Sequence, residues 1–450
     1  MTIGAIILAA GQGTRMRSKL PKVLHSLAGK PLVWHALETM KGLTDLPPVL
    51  VVGYRADDVQ KVVGDVVTYA LQKEQLGTGH AVASARSQLE GKADILLVTF
   101  ADMPLLRKES LERLIALHHQ SDSLVTMTSY IGEEARGFGR VVRNDTGHVT
   151  AIVEQVDATP EQLAIREYNV SAYCFNAEWL WGALEKIPVS PKGEYYLTDV
   201  VGLAVEEGYS VDSLVLEDPT ETIGLNNRIH LAAAEKVIRR RINEKWMLAG
   251  VTIIDPDATY IEVEVEIGQD TIIHPNSHLR GGTVIGEECE IGPDTTVIDS
   301  KVGNHVQLIS SVLEEAEVED HVTMGPFCHL RKGAHLAEGV HLGNYAEVKD
   351  SYIGPHTKMG HFSYIGNAKI GANANIGAGT ITCNYDGEKK NLTEIGDDVF
   401  LGSDTMLVAP VKIGDRSVTG AGAVVTRDVP PDTLVMGVPA KEKRKLEKSD

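Results

Sequence analysis

Small residues followed by two cations form a polar stretch near the start of the chain. The run Leu8-Ala9-Ala10-Gly11 leads into Gln12-Gly13-Thr14-Arg15, and Lys22 follows shortly after. Small side chains let backbone N–H groups approach a phosphate or a base closely, and cations neutralise phosphate charge. The stretch is neither a dinucleotide-binding glycine motif nor a Walker A motif. We predict a phosphate-binding loop here, and a structural turn with surface cations is the alternative.

An acidic residue closes an apolar run in the same part of the chain. The segment Phe100-Ala101-Asp102 ends a strand-like stretch that begins at Ile95. A carboxylate at the C-terminal end of a strand in an open parallel sheet lies at the ligand crevice. Because Mg²⁺ takes oxygen ligands and draws only one or two of them from protein in nucleotide sites, Asp102 is a candidate metal ligand.

Polar residues of a different kind recur in the second half of the chain. They are Arg331, Lys349, His361, Asn375 and the pair Asn384-Tyr385. A cleft holding such side chains can bind a phosphorylated sugar and deprotonate an amine, since the pKa of histidine suits general-base work near neutrality. His361 is one of 16 histidines, so a surface role is the alternative for it.

The elements that must position these residues fall into two kinds. Up to about residue 225, apolar runs such as Val49–Val52 alternate with helical stretches, which predicts a parallel sheet with helices on both faces in a Rossmann-like α/β domain. A charged amphipathic segment from Asn226 to Leu248 predicts one long connecting helix. We therefore divide the chain into a nucleotide-binding domain, residues 1–226, a helical arm, residues 227–249, and a second domain, residues 250–450.

The second domain repeats every six residues. Fixed self-similarity of this kind predicts a solenoid, here a parallel β-helix of hexapeptide repeats in which three units close one coil. The period fails between Thr382 and Asn391, which predicts an excursion loop, and the charged run Lys441–Asp450 predicts a frayed tail. The aliphatic positions of the longest series are Val306, Val312, Val318, Met324, Leu330, Leu336, Leu342 and Val348.

Composition excludes several classes of protein. The 450 residues carry a formal charge of −19 with no basic tail, which argues against nucleic acid as a partner, since a basic patch is the signature of such proteins. No apolar run approaches the ~20 residues of a membrane span, and no signal peptide is recognisable. The four cysteines show no CxxC spacing, which favours a reduced, cytoplasmic protein.

The loop containing Arg15 and Lys22 resembles the signature of nucleotide-sugar pyrophosphorylases. Nearly the whole chain is similar to the bacterial bifunctional N-acetylglucosamine-1-phosphate uridylyltransferases/glucosamine-1-phosphate acetyltransferases. The resemblance implies that Asn226, equally suited to be a helix N-cap, joins Asp102 on Mg²⁺. Leu8, Ala9, Ala10, Gly11, Phe100 and Ala101 then lie at the nucleotide. It further implies base contacts by Gln72, Gly77 and Thr78 and sugar contacts by Gly139, Glu154 and Asn169.

For the second half the resemblance implies a left-handed β-helix that assembles as a homotrimer. His361 is then the base, the sugar-phosphate ligands are Arg331, Lys349, Tyr364 and Asn375, and the acetyl-CoA contacts are Asn384, Tyr385, Lys390, Ser403 and Ala421. Two departures from the family pattern stand out. Asn169-Val170-Ser171 replaces Asn-Thr-Gly, and the C-terminal basic residue is missing, with Lys441 or Lys443 as possible substitutes.

The implied function is two-step synthesis of UDP-N-acetylglucosamine, a precursor of peptidoglycan and lipopolysaccharide. Acetyl-CoA acetylates glucosamine-1-phosphate, and the resulting N-acetylglucosamine-1-phosphate then takes the uridylyl group from UTP with release of pyrophosphate. One alternative is a single-activity nucleotide-sugar pyrophosphorylase with a regulatory β-helix. Another is a nucleotide-sensing scaffold without catalysis.

Overall fold

The computed structural model describes residues 1–445, and positions 446–450 of the charged C-terminal run lie outside them. The chain forms two compact units, Met1–Ile238 and a second that begins at Arg239. Within the described part of the chain, no helix has the length and apolar character that crossing a membrane requires.

The first unit is built on a twisted mixed sheet. Its strands lie in the order β11-β7-β10-β6-β1-β4-β5, and a β8–β9 hairpin pairs with β10. The sheet differs from the parallel prediction at β10, which runs antiparallel to both β6 and β7. The strands are β1 (Ile3–Leu8), β2 (Ser26–Leu27), β3 (Lys30–Pro31), β4 (Val49–Val52), β5 (Thr68–Leu71), β6 (Ile95–Phe100), β7 (Val125–Ile131), β8 (Arg140–Arg143), β9 (Val149–Val153), β10 (Glu167–Asn176) and β11 (Val211–Val215).

Helices cover both faces of this sheet, as predicted. Alternate residues of β1 enter two different apolar clusters, Ile6 in one and Ile7 in the other, because successive side chains of a strand point to opposite faces. The helices are α1 (Leu32–Met40), α2 (Ala56–Val63), α3 (Thr78–Ala83), α4 (Arg86–Leu89), α5 (Lys108–Gln120), α6 (Pro160–Leu163), α7 (Ala177–Leu184), α8 (Asp199–Glu206) and α9 (Arg228–Leu248).

The predicted long helix is α9, and the division between the two units falls within it. Its first half buries Ala234 against Leu27, Leu105 and Leu225 of the first unit. In its second half, the buried Asn243 side chain donates hydrogen bonds to the backbone oxygens of Pro256 and Thr259 in the second unit.

The second unit is a parallel β-helix with three faces. The first face contains Thr252–Ile253, Ile272–Ile273, Glu290–Ile291, Gln307–Leu308, Thr323–Met324, His341–Leu342, Lys358–Met359, Asn375–Ile376, Phe400–Leu401, Val418–Thr419, Thr433–Met436 and Lys441–Lys445. The second face contains Tyr260–Ile261, His278–Arg280, Thr296–Ile298, Val312–Glu314, His329–Leu330, Ala346–Lys349, Ser363–Gly366, Ile381–Cys383, Met406–Val408 and Val424–Val425. The third face contains Glu266–Ile267, Val284–Ile285, Lys301–Val302, Glu317–Val318, Ala334–Leu336, Ser351–Ile353, Ala368–Ile370, Thr393–Ile395 and Val411–Ile413.

Two details of the second unit differ from the sequence-based expectations. Val312 is only partly buried and Leu313 is the buried residue, because the coil there is two residues shorter than three full repeats. The C-terminal run is not frayed over Lys441–Lys445, since this segment pairs antiparallel with Thr433–Met436 and closes the first face. The backbone hydrogen bonds that this segment makes to the open strand edge therefore outweigh the repulsion between the cations of the segment.

The predicted excursion loop is present. Lys358 pairs with Asn375 on the next coil, 17 residues on, whereas Asn375 pairs with Phe400, 25 residues on. The extra residues lie between the strands Ile381–Cys383 and Thr393–Ile395, at the edge where the second face turns into the third.

Candidate active sites

The phosphate-binding stretch and Asp102 follow two adjacent parallel strands. Leu8 at the end of β1 pairs with Phe100 at the end of β6, and the Ala101 N–H donates to the Leu8 oxygen over 3.0 Å. The two loops therefore leave the same edge of the sheet, where ligands of open α/β sheets bind.

Four predicted residues from four separate segments meet at this edge. The Lys22 ammonium forms an ion pair with the Asp102 carboxylate and lies 3.5 Å from Asn226 Oδ1. The Arg15 guanidinium donates to the same Asn226 oxygen over 2.8 Å. The Leu225 N–H donates to the Asp102 backbone oxygen over 2.9 Å, which fixes the Asn226 segment against Asp102.

Glycines shape the loop that carries Arg15. Gly13 has a φ of +66°, and a β-carbon on it would lie 2.5 Å from Lys22 Cβ. Gly11 has no atom within 4 Å of such a β-carbon, so open space lies beside it. The loop thus packs closely on Lys22 at one glycine and exposes its backbone at the other, as a phosphate cradle requires.

The oxygens of Asp102 and Asn226 suit a divalent metal that also binds phosphate. Both face the Lys22 ammonium, so both already point at a positive charge. Among residues 1–445 there is no group of three or more histidine, cysteine, aspartate or glutamate side chains that could hold a metal. Mg²⁺ usually takes one or two oxygen ligands from the protein and the others from phosphate and water. Asp102 and Asn226 therefore fit this ion.

The predicted base-binding residues lie together beside the 193–199 segment. The buried Gln72 side chain donates its Nε2 to the Gly77 oxygen over 3.0 Å, so its amide nitrogen is already engaged by the protein. Gly77 has a φ of +102°, and a β-carbon there would lie 2.5 Å from the Tyr195 oxygen. The Thr78 hydroxyl accepts from the Leu197 N–H over 2.9 Å, which ties this segment to α3.

The predicted sugar-binding residues also converge. The Asn169 N–H donates to the Gly139 oxygen over 3.0 Å, and a β-carbon on Gly139 would lie 3.7 Å from Glu154 Oε1. Burial raises the pKa of Glu154 above its ordinary value, although a 3.0 Å hydrogen bond from the Thr198 hydroxyl favours the charged form. Thr198 is not among the predicted site residues, and the signal for it in the sequence is the polar stretch of residues 193–199.

The departure from Asn-Thr-Gly has a structural consequence. Ser171 has a φ of +62°, the left-handed region that favours glycine, at the irregularity where the pairing between β10 and β7 shifts register. Asn169, two residues before Ser171, has a buried side chain, and its Nδ2 donates to the Tyr173 hydroxyl over 2.6 Å. The backbone geometry is therefore formed despite the missing glycine.

In the β-helix, the predicted sugar-phosphate cations collect at the edge between the second and third faces. Lys349 ends the strand Ala346–Lys349, and Arg331 occupies the same position one coil earlier. The neighbouring ammonium of Lys390, and then the charge of Arg331, lower the pKa of Lys349. Like charges held together on a surface favour an anion between them. The Tyr364 ring leans towards this edge, because its hydroxyl lies 2.4 Å from the position of a β-carbon on Gly366.

The loop of residues 384–392 rises from the same edge and is ordered by its own hydrogen bonds. Tyr385 and Lys390 form an antiparallel bridge, and the Asn384 side chain donates to Asn367 Oδ1 over 2.7 Å. The Asp386 carboxylate accepts from the N–H groups of residues 388 and 389, and these bonds lower its pKa to about 2. The loop therefore presents Tyr385 and Lys390 in a fixed arrangement beside Lys349.

His361 lies at the opposite edge, between the first and second faces. Ser403 and Ala421 occupy the equivalent position on later coils, since Ile376 pairs with Leu401 and Leu401 pairs with Thr419. His361 is exposed and forms no hydrogen bond or ion pair with any residue in the described part of the chain. Lys441 pairs with Met436 near the end of this edge, while Lys443 falls at a register shift. Asn375 lies on the first face.

A single chain therefore does not bring all the predicted acetyl-transfer residues together. The strand Ser363–Gly366 begins two residues after His361 and ends at Gly366, which pairs with Lys349. Five residues of extended chain span roughly 16 Å, so His361 and Lys349 mark the two edges of one face. Their spacing of 12 residues allows adjacent coils or faces of one cleft, and in the structure the width of one face separates the two side chains.

Family models match both parts of the chain. A model described as MobA-like NTP transferase domain covers residues 5–186, and one described as bacterial transferase hexapeptide (six repeats) covers residues 264–299 and 392–427. A solved structure titled "The Crystal Structure of UDP-glucose pyrophosphorylase complexed with UDP-glucose" is similar over 54% of this chain and 100% of its own, with 15% identity and a TM-score of 0.45. That likeness is too distant to bear on the sites.

Curated relatives match almost the full length. "Bifunctional protein GlmU" of Trichlorobacter lovleyi is 47% identical over 96% of this chain and 95% of its own. The protein of the same name from Heliobacterium modesticaldum is 45% identical over 96% and 94%, and that of Listeria monocytogenes is 43% identical over 98% and 97%. At this identity and coverage, the chain belongs to the family of bifunctional GlmU proteins.

Proposed function

We propose that this protein catalyses two successive steps of UDP-N-acetylglucosamine synthesis. The second unit acetylates the amine of glucosamine-1-phosphate with acetyl-CoA, and the first unit transfers uridylyl from UTP to the resulting N-acetylglucosamine-1-phosphate. The observation that carries the proposal is the meeting of Arg15, Lys22, Asp102 and Asn226 in a chain of this family.

In uridylyl transfer, the sugar phosphate attacks the α-phosphorus of UTP and pyrophosphate leaves. Arg15 and Lys22 bind the phosphates and offset the charge that develops as the bond to pyrophosphate breaks. Gly139, Glu154 and Asn169 orient the sugar so that its phosphate lies in line with that bond. Asp102 and Asn226 would hold Mg²⁺, which when bound supplies further positive charge at the phosphates.

In acetyl transfer, the amine of glucosamine-1-phosphate attacks the thioester carbonyl. His361 accepts the proton of the amine, the carbon–sulfur bond breaks, and the CoA thiolate takes up a proton. His361 has no hydrogen-bond or ion-pair partner among the described residues. Lys349 lies beside Lys390 and Arg331, and we assign this group to the sugar phosphate although Arg331 also pairs with Glu347 at 2.9 Å and Lys390 with Asp350 at 3.9 Å. No covalent acyl-enzyme is needed, and burial raises the pKa of the Cys383 thiol, which disfavours it as a nucleophile.

One coupled assay tests the proposal on variants of the full chain. With acetyl-CoA, glucosamine-1-phosphate, UTP and Mg²⁺, free thiol reports acetyl transfer and pyrophosphate reports uridylyl transfer. His361→Ala should lower the first rate by about 10³-fold and leave the second, measured with added N-acetylglucosamine-1-phosphate, unchanged. Asp102→Ala should do the reverse.

Loss of both activities in either variant would contradict the two-site model. Pyrophosphate release without acetyl transfer in the unmodified protein would instead favour a pyrophosphorylase with a regulatory β-helix. Binding of nucleotide without either reaction would favour a scaffold.

We also propose that the protein is a homotrimer. Three copies of the β-helix placed side by side would bring the His361 edge of one copy near the Lys349 edge of its neighbour. The edge next to His361 carries exposed aromatic side chains, Phe327 (57% exposed), Tyr345 (62%) and Phe362 (57%), with the first two stacked at 5.3 Å. Exposed apolar groups arranged in a row mark an interaction surface.

We place the protein in the cytoplasm, acting on small molecules rather than on nucleic acid or a membrane. All four cysteines are free thiols, three of them buried, which suits a reducing compartment.

A further inference from the structure

Arg140 is a buried cation beside the proposed sugar site. It is the first residue of β8 and only 4% exposed, yet no carboxylate among residues 1–445 forms an ion pair with it. Its Nε–H has no hydrogen-bond partner in the described part of the chain. Arg143, on the same strand, forms the ordinary arrangement at the surface, a 2.6 Å ion pair with Glu167. Burying an arginine without a carboxylate is costly, so its other contacts must explain its place.

Arg140 contacts a residue directly adjacent in sequence to each of the three predicted sugar-binding residues. Arg140 Nη1 donates to the Phe138 oxygen over 2.7 Å and to Gln155 Oε1 over 3.1 Å. The guanidinium lies 5.4 Å from the centre of the Tyr168 ring. Phe138, Gln155 and Tyr168 are directly adjacent in sequence to Gly139, Glu154 and Asn169.

We propose that Arg140 is a positioning residue that holds Gly139, Glu154 and Asn169 at the separation the sugar requires. The planar, forked guanidinium joins three segments, namely the residues just before β8, the residues just after β9, and β10. Among the described residues, the Asn169–Gly139 backbone bond, the β8 pairings and the Arg143–Glu167 ion pair also link parts of these segments, but Arg140 is the side chain that contacts all three. Small displacements of groups that orient a substrate cost much of its binding. This inference rests on the proposed uridylyl transfer.

The test compares variants at two arginines of the same strand. Arg140→Met removes the donors and keeps an apolar side chain of similar length, Arg140→Lys keeps the charge without the fork, and Arg143→Met is the matched control. Steady-state kinetics of pyrophosphate release give KM separately for N-acetylglucosamine-1-phosphate and for UTP. Thermal unfolding and the acetyl-transfer rate are measured on the same preparations.

We expect both Arg140 variants to raise KM for the sugar phosphate about tenfold or more, with KM for UTP changed less than about twofold. Acetyl transfer of all three variants and the unfolding temperature of the Arg140 variants should stay close to the native values, and Arg143→Met should keep both native KM values. If Arg140→Lys keeps the native KM for the sugar phosphate, the positive charge is sufficient and positioning by the forked guanidinium is overturned. Equal losses for both substrates, or a collapse of the unfolding temperature, would mean a general structural role. If the native protein releases no pyrophosphate, the proposed function fails, which is distinct from failure of this inference.

Discussion

The carboxylate of Glu154 shows at the scale of one residue how a binding site opposes folding. Burial raises the pKa of this group, so its folded-state pKa lies above the value of about 4.3 in an unfolded chain. Above the folded-state pKa both states are ionised and the cost of burying the charge is fully present. As the pH falls through that pKa the folded state takes up the proton first, and the cost is gone below the unfolded value.

Glu154→Gln should therefore raise the free energy of unfolding at pH 8, with the gain shrinking towards pH 4.5, because glutamine carries no charge to desolvate. The same variant should bind N-acetylglucosamine-1-phosphate more weakly. Urea unfolding at the two pH values measures the first effect.

Glu167→Gln is the control of opposite sign. Burial tends to raise the pKa of Glu167, but hydrogen bonds from Arg143 and Ser129 outweigh burial and lower it. Its substitution should destabilise the protein at pH 8. A pH-independent effect of Glu154→Gln would contradict the assignment of burial as the cause.

Ser171 carries a second cost at the same site. An L-residue in the left-handed region loses roughly 1–2 kcal/mol relative to its normal conformation, and glycine does not. Ser171→Gly should therefore raise the free energy of unfolding by about 1 kcal/mol, measured by urea unfolding, with KM for the sugar phosphate unchanged. In the extended strand β9, Ala151→Gly should instead lower it by about 0.5–1 kcal/mol. Destabilisation by both glycines would show that Ser171 is not strained.

Some of the candidate site residues could be predicted from the sequence and others could not. Lys22 and Asp102 were predictable because cations after a small-residue turn and a carboxylate at a strand end are local patterns. Thr198 and Arg140 were not, because a hydroxyl and an arginine acquire their roles only from which side chains fold against them.

At the scale of elements, the loop between β1 and Lys22 depends on two glycines for different reasons. Gly13 combines a φ of +66° with contact against Lys22, whereas Gly11 has open space beside it. Gly13→Ala must shift the backbone or Lys22, so it should lower the rate of uridylyl transfer by about 10²-fold and the free energy of unfolding by about 1 kcal/mol or more.

Gly11→Ala separates the two effects. Its side chain enters open space, so the free energy of unfolding should change by less than about 0.5 kcal/mol. The added methyl group should still raise KM for UTP if the phosphates lie against this backbone. The expectation fails if the two alanines destabilise the protein equally.

The interrupted six-residue period predicted the 384–392 loop. It did not predict that hydrogen bonds within the loop hold it in one conformation. The loop is held by hydrogen bonds to the Asp386 carboxylate, which lower its pKa to about 2. The stabilisation from these bonds is therefore fully present at any pH above the pKa that Asp386 has in the unfolded chain. That order lets Lys390 stand beside Lys349 and complete a cationic cluster.

At the scale of the whole molecule, acetyl transfer should depend on assembly and uridylyl transfer should not. Light scattering should give three times the chain mass of 48.7 kDa. Phe327→Ser combined with Tyr345→Ser should dissociate the trimer and lower acetyl transfer, because it removes a stacked apolar pair from the proposed interface.

Tyr209→Ser, an exposed aromatic of the first unit, is the control and should change neither mass nor rate. A monomer that retains full acetyl transfer would show that one chain suffices for that reaction.

The two architectures, the long helix and the excursion loop follow from the sequence alone, and the members of the phosphate site stay a prediction from it. These are carried by periodicity, by glycine and by strand-end residues, which act through a few neighbouring positions. The spacing also allows His361 and Lys349 to occupy adjacent coils or faces of one cleft. The tertiary structure was needed to show that they stand on opposite edges of one face, that Lys441–Lys445 pairs as a strand, and that Arg140 contacts the chain neighbours of the predicted sugar residues. Those facts depend on which distant residues share a register or a core, and the spacing along a chain does not contain that information.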